Sequence, residues 1–164
     1  MFDDVGTVQA AGAHERLRLL TAHKTIAIVG LSPDPMRPSH FAAIYMQSYG
    51  YDIIPVNPRA VGQTILGQRV YASLSEIPRP VGIVDVFRKA QDVPPIAAEA
   101  IAIGAKVLWL QLGVVNDEAG RTARAAGLDF VQERCVKIEH ARFFGGLNLV
   151  GMNTGVVTAR RTIG

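Results

Sequence analysis

The chain has 164 residues, of which 49% are hydrophobic and 19% are charged, with a net charge of +3. This is typical of one globular domain, and the scattered basic residues do not form the run that a nucleic-acid-binding arm uses. A single cysteine excludes an internal disulfide and a zinc site built on several cysteines. No apolar run is long enough to span a membrane, and the acidic N-terminus lacks the layout of a signal peptide, so we expect a cytoplasmic protein.

Helices and short apolar strands alternate along the chain. A first helix is predicted at residues 8–21, ahead of the alternation. Strands are predicted where short apolar runs lack polar alternation: residues 25–30, 51–58, 82–87, 106–113 and 128–133. Further helices are predicted from start and stop signals such as Pro, Asn and Gly: residues 38–50, 94–104, 116–127 and 135–144. The turn-rich residues 60–80 include a short strand or crossover at 68–72.

This alternation predicts an α/β fold: a Rossmann-like, doubly wound parallel sheet of about five strands with helices on both faces. We expect residues 1–23 to contribute an N-terminal helix that packs on the core, and residues 24–144 to form the nucleotide-binding domain. Residues 145–164 form a Gly-rich C-terminal tail. Ligands of such sheets bind beyond the carboxyl ends of the strands, so the residues that follow each strand are the candidates for a site.

The loop after the first strand reads "VGLSPDPMRPSHF". Gly30 can make the tight turn of a dinucleotide-binding loop, but Ser32 stands where that fingerprint has its second glycine. The loop still leads to a helix N-terminus, which attracts anions, and Ser32, Arg37 and Ser39 add donors suited to phosphate. The alternative is a loop whose prolines only make a turn rigid.

The second strand ends in "PVNPRA", without the acidic residue that binds the ribose of NAD. Asn57 lies in that neighbourhood and Arg59 follows it. This argues against NAD and permits a ligand with an additional phosphate on its ribose, which is NADP or coenzyme A (CoA). The alternative interpretation of Asn57-Pro58 is a plain turn.

Five short motifs carry a family resemblance: "RPS", "VNP", "DVFR", "WLQLG" and "CVKIE". In this order they resemble the small stand-alone CoA-binding domain proteins of bacteria and archaea, over residues 24–140. These proteins are similar to the N-terminal CoA-binding domain of succinyl-CoA synthetase alpha subunits. The resemblance implies CoA or an acyl-CoA as the ligand. The second domain of the synthetase has no counterpart here, so its ligase activity is not implied.

The resemblance also implies which residues lie beside each part of CoA. The candidates for the diphosphate are Gly30, Leu31, Ser32, Arg37 and Ser39. The candidates for the adenosine and its 3′-phosphate are Val56, Asn57, Pro58 and Arg59. The nucleotide would be flanked by Phe87 and Arg88. The pantetheine path would be bordered by Gln111, Leu112 and Gly113, with Cys135 and Lys137 near its far end.

Few residues suggest catalysis. Asp85 lies within a buried strand, where a carboxylate needs hydrogen bonds, so we interpret it as a structural anchor. Gln111 is expected to be polar at the mouth of the site, where it could bond an amide of pantetheine. His40 is expected on an exposed first helical turn, and no histidine is spaced for a triad or a metal site. Cys135 is either a reactive thiol that Lys137 activates or a small buried hydrophobic residue.

The sequence therefore predicts a small binding or sensing module for CoA or an acyl-CoA, without catalytic residues. An NADP-binding oxidoreductase or redox sensor on the same fold is the alternative, and a protein-interaction module on this scaffold is a third. The expected partner is a small-molecule nucleotide ligand, not nucleic acid or a membrane. The sequence leaves open a homo-oligomer or a protein partner.

Overall fold

The computed structural model describes residues 8–145, and most of the Gly-rich tail lies outside the described residues. Five parallel strands form the main sheet: β1 (Thr25–Val29), β2 (Asp52–Val56), β5 (Ile83–Val86), β6 (Val107–Leu110) and β7 (Asp129–Val131). A separate hairpin pairs β3 (Thr64–Ile65) with β4 (Gln68–Arg69). The helices are α1 (Ala13–Ala22), α2 (Pro38–Ser48), α3 (Val93–Ala102), α4 (Asp117–Ala125) and α5 (Val136–Phe144).

The strands of the main sheet lie in the order β2-β1-β5-β6-β7, which confirms the predicted doubly wound α/β fold. All neighbouring pairs are parallel, and Val29 of β1 pairs with Val56 on one side and Val86 on the other. The strands are shorter than the predicted ones because several apolar residues beside them lie in turns. An example is β6, which ends at Leu110, since Leu112 of the predicted strand lies in the turn that follows.

Helices cover both faces of the sheet. On one face α1, α2 and α5 bury residues such as Leu19 and Met46 against Trp109 of β6. On the other face α3 and α4 pack against Leu108 and Phe130. Both faces of the central strands are therefore buried, which explains why their sequences show no polar alternation.

The helix α1 is fastened to α5 by a buried ion pair. Arg16 donates from Nε to Oε2 of Glu139 at 2.9 Å, and both side chains are at most 5% exposed. Leu19 and Leu20 of the same helix are fully buried. The N-terminal helix thus packs on the sheet face that also carries α2. Within residues 8–145, no helix combines the length and the apolar character that crossing a membrane requires.

The chain changes its winding direction at β1. From β1 it passes through α2 to β2 on one side, and from β2 it returns past β1 to β5 on the other. The loops that follow β1 and β5 therefore separate above the sheet and leave a crevice between them. The turn-rich residues 60–80 contain the β3–β4 hairpin, whose two-residue turn has positive φ at Leu66 and Gly67.

Candidate functional site

The loop after β1 starts with a close approach between two strands. Gly30 has a φ of +90°, and a Cβ atom at this position would lie 2.7 Å from the carbonyl oxygen of Phe87. Its N–H donates to the carbonyl of Val56 at 2.8 Å. Glycine is therefore required both by the backbone conformation and by the lack of space. The first-glycine role predicted for Gly30 fits this geometry.

Hydrogen bonds within the loop give it a fixed shape. The hydroxyl of Ser39 accepts from the N–H of Ser32 at 3.0 Å, and the hydroxyl of Ser32 accepts from the N–H of Asp34 at 3.1 Å. Asp34 in turn accepts from the N–H of Met36 at 3.0 Å. These serines thus serve the loop itself, through side-chain oxygens that replace backbone partners.

The loop delivers the N-terminus of α2 to the crevice. Arg37 is the N-cap, Pro38 follows at the first helical position, and no side chain caps the helix. The unpaired end of such a helix attracts anions. The prediction of an exposed His40 is wrong: this ring is 9% exposed, and its Nδ1 lies 2.8 Å from the carbonyl oxygen of Ser32. His40 is turned inward because it bridges the helix to the loop that precedes it.

Asn57 links the loops that follow β1 and β2. Its Nδ2 donates to the carbonyl of Leu31 at 3.0 Å, and its Oδ1 accepts from the N–H of Arg59 at 3.0 Å. Leu31 and Val56 are buried in the core, so only their backbone atoms could meet a ligand. Asn57 is therefore more than a plain turn residue, because it fastens the two loops that face the crevice.

These loops enclose a cleft of about 520 Å³, which we call the polar cleft. Its guanidinium groups belong to Arg37, Arg59 and Arg88. Oδ2 of Asp34 lies 3.9 Å from Nε of Arg37, and Oδ2 of Asp92 lies 3.5 Å from Nη2 of Arg88. The side chain of Arg37 is 70% exposed, so its contact with Asp34 contributes little energy and leaves the guanidinium available. The other lining residues are Gly30, Ser32, Pro33, Pro38, Ser39, Asn57, Ala60 and Phe87.

A second cleft of about 730 Å³ opens between α2, α5 and the ends of β5 and β6, and we call it the apolar cleft. Exposed hydrophobic side chains lie at its edge, among them Met36, Phe41, Leu112 and Ile138. The rest of its lining is formed by Pro38, Ala42, Phe87, Arg88, Lys89, Gln111, Val114, Cys135 and Lys137. Pro38, Phe87 and Arg88 line both clefts, so the two are adjoining parts of one groove.

Gln111 lies deeper than expected. It is 4% exposed instead of polar at the mouth, and its Nε2 donates to both carboxylate oxygens of Asp85, at 2.7 and 2.9 Å. Asp85 is fully buried, and burial raises the pKa of its carboxyl to about 8, against the opposing effect of the Gln111 donor. The interpretation of Asp85 as an anchored, hydrogen-bonded group agrees with this geometry.

Cys135 and Lys137 both line the apolar cleft. Cys135 is partly exposed and precedes the first turn of α5, so it is not the fully buried residue of the alternative interpretation. Nζ of Lys137 lies 5.9 Å from the centre of the Tyr45 ring, which draws this ammonium toward α2. A covalent role for Cys135 stays a prediction. Trp109 is fully buried and donates to the carbonyl of Arg134 at 2.7 Å.

The structure brings most of the candidate residues to one groove. Four of the candidates do not line it: Leu31, Val56, Pro58 and Gly113. The sequence missed the apolar lining residues, namely Met36, Phe41, Ala42, Val114 and Ile138. Their signal was weak because Phe41, Ala42 and Ile138 are ordinary hydrophobic residues on helix faces that could equally belong to the core. Met36 and Val114 lie in loops. Exposed positions on a helix can be assigned only when the neighbouring helix is in place.

A family model described as a CoA binding domain matches residues 24–141. The uncharacterized protein YneT of Bacillus subtilis is 42% identical over 123 residues, which are 75% of this chain and 90% of YneT. A solved Thermus thermophilus structure has a TM-score of 0.78 at 36% identity, and covers 82% of this chain and 100% of that chain. A hypothetical protein from Pyrococcus horikoshii OT3 has a TM-score of 0.79 at 35% identity, with 88% and 100% covered. The resemblance seen in the motifs is thus confirmed, and the chain belongs to the CoA-binding domain family.

Proposed function

We propose that this protein binds CoA or an acyl-CoA as a small binding or sensing module and does not catalyse a reaction. The observation that carries the proposal is the composition of the groove. Its polar cleft contains Arg37, Arg59 and Arg88, and its apolar cleft continues from there toward Cys135. CoA has a similar division, with three phosphates at the nucleotide end and a long, uncharged pantetheine arm.

The charges of the polar cleft support a nucleotide with several phosphates. Guanidinium groups bind phosphate oxygens through charge-assisted hydrogen bonds, and the N-terminus of α2 adds the positive end of its helix dipole. The ribose-binding carboxylate of an NAD site is replaced by Asn57, whose side chain is already bonded to Leu31 and Arg59. Because position 57 is an asparagine, a ligand phosphate beside Arg59 would not be repelled by a carboxylate at position 57.

The apolar cleft supports CoA over the alternative ligand, NADP. The nicotinamide half of NADP carries a second ribose, a charged ring and a carboxamide. Phe41, Leu112 and Ile138 offer such groups few hydrogen-bond partners, whereas a pantetheine arm can lie along these side chains. The exposed side chains of Leu112 and Ile138 on the same cleft would give an acyl group apolar contacts.

A binding role without catalysis is supported by how the histidines are used. Nδ1 of His40 bonds the Ser32 carbonyl, and Nδ1 of His140 lies 3.0 Å from the Tyr45 hydroxyl. Burial lowers the pKa of His140, so this ring is neutral at physiological pH. Both rings hold parts of the fold together, and neither lines the groove.

Thermal unfolding with added ligands tests the proposal. CoA is expected to raise the melting temperature more than NADP or NAD at equal concentration, because a ligand of the folded state stabilises it in proportion to its affinity. Acetyl-CoA and longer acyl-CoAs compared in the same assay show whether the acyl group adds affinity. Stabilisation by NADP with no effect of CoA would reject CoA binding and favour the oxidoreductase.

A further inference from the structure

Asp85 and Gln111 form a pair beneath the apolar cleft. Asp85 is 0% exposed and does not line the cleft, whereas Gln111 is 4% exposed and lines it. Nε2 of Gln111 lies 2.7 Å from Oδ1 and 2.9 Å from Oδ2 of Asp85. The ionised carboxylate can only accept hydrogen bonds, so above the Asp85 pKa of about 8 the nitrogen end of the Gln111 amide must face it.

The oxygen end of the same amide faces the groove. Among the buried side-chain N and O atoms of residues 8–145, Nε of Arg142 is the one without a partner. No hydrogen bond from the described residues reaches Oε1 of Gln111, so this atom is accessible and not sealed in the core. Because Gln111 lines the apolar cleft, its accessible oxygen lies in that cleft.

This oxygen has no equivalent among the other side chains of the apolar cleft. The remaining polar side chains that line it within the described residues are Arg88, Lys89 and Lys137, which are cations and only donate hydrogen bonds. The others are hydrophobic side chains and the thiol of Cys135. Among the side chains of this cleft, Oε1 of Gln111 is therefore the strong acceptor for a ligand N–H group, and an N–H left unpaired there would weaken binding.

We propose that Asp85, in its ionised form, is a positioning residue, which fixes the Gln111 amide so that its oxygen accepts a hydrogen bond from an amide N–H of a pantetheine arm in the apolar cleft. This inference rests on the proposed function, since it deepens CoA binding by assigning the contact that recognises the arm. It also gives a reason for an acid in the middle of β5. A buried carboxyl destabilises the fold, and what it supplies is one fixed orientation of its neighbour.

An asparagine at position 85 separates orientation from packing. Asn has nearly the same shape as Asp, but its side chain both donates and accepts, so Gln111 could bond to it in either orientation. In Asp85→Asn, the Gln111 amide is expected to turn its nitrogen toward the cleft in part of the molecules. The nucleotide end of the ligand does not meet Gln111, which lines the apolar cleft and not the polar one.

Calorimetric titration with two ligands measures this separation. The ligands are CoA and adenosine 3′,5′-bisphosphate, which lacks the pantetheine arm. Asp85→Asn is expected to weaken CoA binding roughly three- to tenfold and to leave the bisphosphate within about twofold. The titration is run roughly one pH unit above the pKa of about 8, so that Asp85 is ionised in the parent protein. Asp52→Asn is the matched control, because Asp52 pairs with Arg79 at the start of β2, away from the groove.

Gln111→Met provides an independent measurement. It removes the acceptor directly and is expected to give the same selective loss of CoA affinity. Asp85→Asn should then add nothing in the Gln111→Met background, since Asp85 acts through Gln111, whereas independent structural effects would add. Acetyl-CoA has no thiol but retains both amides, so it should lose as much affinity as CoA does.

The outcomes are distinguishable. If Asp85→Asn lowers the affinities for CoA and the bisphosphate equally, or lowers neither, the positioning role is rejected while CoA binding stands. If CoA but not acetyl-CoA is affected, the donor is the thiol and the assignment of an amide is rejected. If the parent protein binds neither CoA nor the bisphosphate, the proposed function itself fails.

Discussion

The two clefts of the groove are built in different ways. The polar cleft is formed mainly by three loops, each directly after a strand of the sheet, and its shape is fixed by hydrogen bonds such as those of Asn57. The apolar cleft combines side chains of α2 and α5 with residues that follow β5 and β6. The two clefts also differ in the burial of a charged group. The side chain of Arg37 in the polar cleft is 70% exposed, whereas Asp85 beneath the apolar cleft is fully buried.

This difference in burial predicts how the stability of the protein depends on pH. Burial raises the pKa of Asp85 from 3.8 to about 8, so between roughly pH 5 and 7 the folded state holds a proton that the unfolded state has lost. This group therefore lowers the free energy of unfolding as pH rises, by about 1.4 kcal/mol per pH unit. Urea unfolding of the parent and Asp85→Asn over this range should show the fall in the parent only, after the change common to both is subtracted.

The exposed charge of the polar cleft provides the control. Arg37→Ala should shift the unfolding curve by nearly the same amount at every pH, because an exposed guanidinium stays charged in both states. Parallel profiles for the parent and Asp85→Asn would mean that Asp85 ionises normally in the folded protein. The contrast in burial would then have no energetic consequence.

The floor of the polar cleft is expected to be the part of the groove least tolerant of added volume. Gly30 and Gly50 both have a φ of +90°, but a Cβ on Gly50 would meet nothing within 4 Å. Gly50→Ala should therefore cost only the conformational strain, about 1–2 kcal/mol. Gly30→Ala adds a contact of 2.7 Å with the Phe87 carbonyl, so its total loss of unfolding free energy should be roughly 3 kcal/mol or more. If Gly30→Ala and Gly50→Ala lost equal free energy of unfolding in chemical denaturation, β1 and β5 would be able to move apart without cost.

The polar cleft is easier to predict from the sequence than the apolar cleft, because its residues directly follow predicted strands. Ser32, Asn57 and Arg88 follow strands whose apolar runs are visible, and carboxyl ends of parallel strands share one edge. Their placement at one cleft was therefore predictable. The doubly wound order of the strands follows from the same alternation.

The apolar cleft was less predictable because it depends on how helices pack. Phe41 and Ile44 are three residues apart on α2 and have similar exposure, yet only Phe41 lines the cleft. Which of the two faces α5 depends on how α5 packs against α2. The hydrophobic periodicity of the α2 sequence does not show this packing. The burial of His40 and Gln111 was missed for a related reason: their partners, Ser32 and Asp85, are eight and twenty-six positions away in sequence.

The exposed arginines of the polar cleft are expected to contribute affinity instead of stability. Arg37→Ala should weaken the binding of CoA and of adenosine 3′,5′-bisphosphate by about tenfold each, because both ligands lose the same phosphate contact. Arg121, which is exposed on α4 at the other face of the sheet, is the control and its replacement by Ala should change neither affinity. Equal losses for Arg37→Ala and Arg121→Ala in calorimetry would indicate general charge attraction without a defined phosphate site.

The smallest expected effect belongs to the rim of the apolar cleft. Phe41 is 48% exposed and Ile44 is 45% exposed on the same helix, and Phe41 lines the cleft. A pantetheine arm that covers the exposed part of the Phe41 ring removes apolar surface from water, which is worth about 1 kcal/mol. Phe41→Ala should therefore weaken CoA binding roughly threefold to tenfold and leave the bisphosphate unchanged. Ile44→Ala should change neither affinity, because its side chain lies one turn away from the cleft. If Phe41→Ala bound both ligands like the parent, the arm would not cross this rim, and the apolar cleft would have to be explained by another occupant.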